Sequence, residues 1–80
     1  MTDRQELVLV ALAGVCRVDP RRWWRPMDLG GHDQSFHSTV LAQLVRKKWA
    51  KRVLRGGHTR SAWGYRITAL GRAAARSALR

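Results

Sequence analysis

The residues of this chain with the clearest chemical potential are cations without counter-ions. Arg46, Lys47, Lys48, Lys51, Arg52 and Arg55 crowd into ten positions and Arg60 follows; residues 34–80 hold eleven Lys/Arg and no Asp or Glu. Such a run attracts a polyanion, and nucleic acid is the first expectation. Just ahead of and within it stand Gln34, Ser35, His37, Ser38, Thr39 and Gln43, polar side chains of the kind that reach base edges in a groove. His58 and Thr59 sit beside Arg60 in a glycine-led segment, placed to meet phosphates or enter a minor groove.

Other chemistries find less to work with. All five acids (Asp3, Glu6, Asp19, Asp28, Asp33) lie in residues 1–33, where five arginines cancel them, so the second part carries the whole net charge of +11. Paired carboxylates and oxygen-rich metal cages are thereby removed from more than half of the chain. Cys16, His32, His37 and His58 are spaced 16, 5 and 21 apart, which matches no zinc finger or ribbon. A Cys/His nucleophile would lack both a glycine-rich elbow and an orienting acid. Eighty residues make one domain, 1–80, and a domain so small buries only about 60% of its unfolded surface, which leaves little room for a cleft. No enzyme activity, metal or cofactor is expected.

The longest apolar run, Leu7 to Cys16, is ten residues, roughly half of the ~20 that span a bilayer. Its acidic approach does not suit a signal peptide. A single cysteine cannot form an internal disulfide. The expectation is a cytoplasmic, nucleoid-associated protein with no membrane partner. At 45% hydrophobic with four tryptophans, the chain is too apolar for a disordered basic tail.

The elements that must position these side chains follow from local pattern. Thr2-Asp3-Arg4-Gln5 reads as a capping box, opening a first helix from about Asp3 to Cys16. That helix is apolar on nearly every face from Leu7 on, so it is either a central core helix or a dimer contact. Asp19-Pro20 ends it. The connector Arg21-Arg22-Trp23-Trp24-Arg25 holds a short extended segment. Pro26 then opens a short helix to Leu29, which Gly30-Gly31 closes. Asp33 or Ser35 caps a third helix, about 35–48, in which Phe36, Val40, Leu41, Leu44 and Val45 form one apolar stripe. Ser35, Ser38, Ala42 and Arg46 face the other way, flanked by His37, Thr39, Gln43 and Lys47.

Two strand-like runs, Trp49–Arg55 and Ala62–Thr68, flank a glycine-led turn and predict a hairpin over about 49–68. Thr68 caps a last helix, about 69–79, inside which Gly71 costs ~1 kcal/mol relative to alanine and so marks close contact or fraying. The fold class is mainly α with a small β-hairpin (α+β), in the order α-α-α-β-β-α. A short helix, a Gly-Gly turn and a longer amphipathic helix make a helix-turn-helix, and the basic hairpin after it is a wing.

Leu41-Ala42-Gln43-Leu44-Val45-Arg46-Lys47-Lys48-Trp49-Ala50-Lys51-Arg52 resembles the "LxxLVxKGLVxR" end of a winged-helix recognition helix. Tyr65-Arg66-Ile67-Thr68-Ala69-Leu70-Gly71-Arg72 is similar to the "YxLTxxGR" junction of MarR-like and PadR-like regulators, and Met27-Asp28-Leu29-Gly30 to the "xxDLA/G" segment before the turn. The resemblance spans about residues 24–75 and implies a small prokaryotic or phage transcriptional regulator. Two departures stand out. Lys48-Trp49 replaces the usual Gly-Leu, so the helix end must cap without its left-handed glycine. The long extra helices by which MarR-like proteins dimerise and form an effector pocket have no counterpart in these residues.

The expected function is sequence-specific binding of double-stranded DNA, with the start of the third helix in the major groove. Gln34, Ser35, His37, Ser38, Thr39 and Gln43 are the base-contact candidates. Arg46, Lys47, Lys48, Lys51, Arg52, Arg55, His58, Thr59 and Arg60 are the phosphate and wing candidates. Plainer roles compete: Ser35 as a simple cap, His37 as a solvated helix residue, the basic run as a solvated face. Trp23, Trp24, Trp49 and Trp63 could stack single-stranded bases, though Trp49 and Trp63 sit at positions that favour core and hairpin packing. A homodimer through the N-terminal or C-terminal helix is a further expectation. The alternative function is a winged-helix interaction module of a larger assembly.

Overall fold

The computed structural model describes residues 1–29, 37–55 and 62–79, excepting the side chains of Met27, Arg55 and Ala62. The glycine turn at 30–31, the caps expected at Asp33 or Ser35, and the tip of the hairpin lie outside the described residues. Helix α1 spans Asp3–Val18, a 3₁₀ turn Pro26–Leu29, and helix α2 His37–Arg46. Strands β1 (Ala50–Arg55) and β2 (Ala62–Ile67) form an antiparallel hairpin, and helix α3 (Ala69–Ala78) closes the chain. This is the winged-helix arrangement, with one correction: the expected α-α-α-β-β-α begins α-3₁₀-α, because the second element is a four-residue 3₁₀ turn. Four residues opened by a proline close i to i+3 bonds more readily than an α-helical ladder; Asp28 N–H donates to the Arg25 carbonyl at 2.9 Å.

The capping box forms as expected. Thr2 Oγ1 accepts from Gln5 N–H and Gln5 Oε1 accepts from Thr2 N–H, each at 3.2 Å. Helix α1 sits at the centre, touching α2, α3, β2 and the 3₁₀ turn. It sends Val8, Leu9, Leu12 and Cys16 inward to meet Val40, Leu41 and Leu44 of α2, Ala50, Tyr65 and Ile67 of the hairpin, and Ala75 of α3. Its apolar character exceeds what this core uses. Leu7 is 69% exposed and Val18 83%, so the helix is buried on one face and not on several.

The hairpin pairs Ala50 with Ile67, Arg52 with Tyr65 and Leu54 with Trp63. Trp24, in the connector, bridges to Tyr65. Its N–H donates to the Tyr65 carbonyl at 2.9 Å and its carbonyl accepts from Tyr65 N–H at 2.8 Å, so the extended connector lies along β2 as a one-residue third strand.

Where α2 meets β1, Lys48 takes the left-handed backbone itself, with φ 67. Lys48 N–H donates to the Val45 carbonyl and Trp49 N–H to the Leu44 carbonyl, both at 3.0 Å. These two bonds are those of a Schellman cap. The absence of glycine therefore does not change the way the helix ends; a lysine adopts the glycine geometry at a cost of about 1 kcal/mol. The start of α3 locks this corner. Thr68 N–H donates to the Trp49 carbonyl at 3.0 Å, Thr68 Oγ1 donates to the Lys48 carbonyl at 2.7 Å and accepts from Gly71 N–H at 3.0 Å. Gly71 is buried, and a Cβ there would overlap the Trp49 carbonyl oxygen. Close contact, not fraying, is what Gly71 provides.

Candidate nucleic-acid interface

Helix α2 divides into two faces. Val40, Leu41 and Leu44 point into the core, while Ser38, Thr39 and Arg46 are exposed and Ala42 is half-buried between them. Ser38, Ala42 and Arg46 follow one another at i, i+4 and i+8, a single stripe along the outer side. Of the six base-contact candidates, Ser38 and Thr39 stand free on this side. His37 is buried, 9% exposed, at the first turn of the helix, so the ring belongs to the packed side. Gln43 is half-buried, its Oε1 accepting from Gln5 Nε2 of α1 at 2.9 Å. That bond ties the recognition-helix candidate to a buried glutamine of the capping box. Gln34 and Ser35 lie outside the described residues.

The phosphate candidates cluster where α2 runs into the hairpin. Arg46, Lys47 and Lys48 at the helix end and Lys51 and Arg52 on β1 are all exposed. Lys51 and Arg66 are direct partners in the ladder, a like-charged pair that costs stability. Arg55 belongs to β1, though its side chain is not described, and His58, Thr59 and Arg60 lie outside the described residues.

The sequence pattern did not reveal how the tryptophans and the cations combine. Each tryptophan carries a cation on its ring face. The Arg22 guanidinium lies 4.5 Å from the Trp24 centroid, Lys47 Nζ 5.1 Å from Trp49, and the Arg52 and Arg66 guanidiniums 4.1 Å from Trp63 and Trp23. Such contacts hold a flexible cation in place for about 0.5–1 kcal/mol while leaving its charge uncompensated. Trp49 packs against the core as expected. Trp63 is 38% exposed and lies on the hairpin surface under Arg52.

Asp28 was given no chemical role from sequence, yet it organises the connector. Its Oδ2 accepts from Arg25 N–H at 2.9 Å, which caps the 3₁₀ turn, and its Oδ1 lies 3.5 Å from Arg25 Nη2. Arg22 Nη2 stands 3.8 Å from the same carboxylate. Burial works to raise the Asp28 carboxyl, but the hydrogen bonds from Arg25 and the charges of Arg25 and Arg22 outweigh it and hold the group below the ordinary carboxylate value. These are the ion pairs among the described residues, and both lie in the neutral part of the chain. An acidic residue three positions after Arg25 and six after Arg22, just past a proline, was the signal that could have found them.

No group of three or more His, Cys, Asp or Glu able to hold a metal occurs among the described residues, and none of the described helices is long and apolar enough to cross a membrane. No family model matches the chain, and no curated protein matches it. Among solved structures, wild-type MarR from Escherichia coli in its apo form is similar, with a TM-score of 0.62 and 22% identity. The match covers 98% of this chain and 55% of that one, so the chain spans about half the length of its neighbour. At this identity the likeness is one of fold.

Proposed function

We propose that this chain is a double-stranded DNA-binding regulator that lays α2 in the major groove and sets the hairpin against the backbone. One observation carries the reading: Arg46, Lys47, Lys48, Lys51 and Arg52 form an exposed basic series in a part of the chain with no carboxylate to neutralise it. Phosphates are the natural counter-ions for such a series, and an anion between Lys51 and Arg66 would relieve their repulsion. Ser38 and Thr39 then face the base edges, with Gln34 and Ser35 just before them in sequence as further readers. Arg55, His58, Thr59 and Arg60 extend the contact along the wing. The likeness to MarR supports this reading at the level of fold.

Fluorescence anisotropy with labelled duplex DNA tests it. If roughly six to eight phosphates are engaged per chain, log K falls against log salt with a slope of about −5 to −7. Arg46→Ala weakens binding to all sequences and lowers the slope by about 1, whereas Ser38→Ala relaxes preference at one base position. A flat salt response sinks the electrostatic mechanism, and equal affinity for selected and random duplexes sinks sequence specificity.

A further inference from the structure

Gln5 is a buried polar side chain, 8% exposed, and both ends of its amide are engaged. Its Oε1 accepts from Thr2 N–H at 3.2 Å, and its Nε2 donates to Gln43 Oε1 at 2.9 Å. A glutamine amide can in general meet a partner with either end. Here the backbone fixes the direction, because an N–H can only donate. Thr2 therefore requires the Gln5 oxygen, which leaves the Gln5 nitrogen toward α2, and that nitrogen requires the Gln43 oxygen. The orientation of Gln43 is thus set at the N-cap of α1.

What remains of the Gln43 amide is its nitrogen, which makes no hydrogen bond to another described residue. The side chain is half-buried and borders an open hollow between the first turn of α1 and one edge of α2, where Thr39 stands one turn earlier. Asp3 and Arg4 line this hollow with opposite charges, so hydrogen-bond direction rather than net charge distinguishes what enters. We infer that Gln5 is a positioning residue that makes Gln43 a donor-only reader, one that selects hydrogen-bond acceptors on a duplex. The inference rests on the DNA reading above and deepens it.

The acceptors within this chemistry are guanine O6 and N7 and thymine O4 in the major groove, and the phosphate oxygens. Adenine N6 and cytosine N4 are donors. A glutamine free to turn takes adenine through both ends of its amide. One whose oxygen is held by α1 leads with nitrogen.

Gln5→Glu reverses the relay without removing the cap. Glutamate is an ordinary capping-box partner at this position, and its carboxylate still accepts from Thr2 N–H. It has no proton to donate at pH 7, so Gln43 must turn its nitrogen inward and its oxygen outward. Side-chain amide exchange by NMR reads this in the free protein. In the wild type a Gln5 amide proton is protected and the Gln43 pair exchanges as an open amide does; in Gln5→Glu a Gln43 proton becomes the protected one. Gln43 exchange unchanged by the substitution overturns the relay, whatever the protein does with DNA.

Selection from a duplex library and anisotropy read the consequence. The wild type is expected to hold G or T at one position, and Gln5→Glu to prefer A or C there, with about a tenfold loss on the wild-type site. A folding defect lowers affinity but cannot invert a base preference. The added charge weakens binding to every sequence, so the loss is measured again in the Gln43→Met background, where no amide remains, and only the excess is assigned to the relay. An excess that is uniform across sequences supports the relay with a phosphate as the acceptor. Equal losses in the two backgrounds, in a protein that binds duplex with the expected salt slope, overturn this inference alone. A wild type that binds no duplex removes the DNA reading and this assignment with it.

Discussion

Two cation-rich corners among the described residues are built by opposite means. In the connector, Arg22 and Arg25 converge on Asp28, and the 3₁₀ turn is held through that carboxylate. At the junction of α2, β1 and α3, five exposed cations surround a corner held by neutral bonds: the Schellman cap at Lys48, the Thr68 hydroxyl and the approach of Gly71 to the Trp49 carbonyl. Where charge is structural, it is neutralised inside the chain. Where the cations face outward, hydrogen bonds and a missing Cβ support the backbone, so no carboxylate is needed and the charge stays available. A corner held by arginine–aspartate pairs could not serve a phosphate without giving up its support.

The strongest way to break this comparison is at Gly71. Gly71→Ala forces α3 away from the Trp49 carbonyl and should cost about 2–3 kcal/mol by urea denaturation, with no dependence on salt. Thr68→Val removes the α3 cap and the bond to the Lys48 carbonyl together, for a loss of about 1–2 kcal/mol, equally insensitive to salt.

Asp28→Asn probes the other corner and should cost about 1 kcal/mol at low ionic strength, a loss that shrinks as salt screens the half-exposed arginines. Its pH behaviour has a definite sign. The folded-state value of Asp28 lies below the ordinary 3.8, so its contribution is complete above that value and disappears as pH falls through the folded one. Wild type and Asp28→Asn should therefore converge in thermal stability as pH falls from 3.8 through the lower folded value. The smallest effect is also the most telling. Lys48→Gly relieves the left-handed lysine and should gain about 0.5–1 kcal/mol of stability, while duplex affinity drops because a cation is lost. A gain in both would remove Lys48 from the interface.

Much of the scaffold was legible in the residues. The capping box at Thr2, the apolar stripe of α2, the strand alternation around Tyr65 and Ile67 and the Thr68 cap are local patterns, and the structure follows them within two residues at the described ends. The expected winged-helix architecture appears, with a 3₁₀ turn in place of the second α-helix. The site was less legible. Helical spacing put His37 and Gln43 at the sides of the polar face. Whether a flanking residue turns inward depends on what a distant segment brings against it, and for Gln43 that is a residue 38 positions away. Gln5 is the residue that engages Gln43, and no pattern within either helix relates the two. Asp28 escaped notice because its partners matter only once the turn is closed.

Composition and order by themselves determined that this chain is basic from residue 34 on, that its acids lie in the first part, and which segments become helix or strand. These are consequences of charge and of backbone periodicity, which act over a few residues. The tertiary structure decided which cations are bound and which are free, which polar side chains of α2 point outward, and that the outer face of α1 is left uncovered. Those are matters of burial and of contact between distant segments. The basic half was written in the sequence; its division into a free surface and a packed one arises only when α1 and α3 close against α2 and the hairpin.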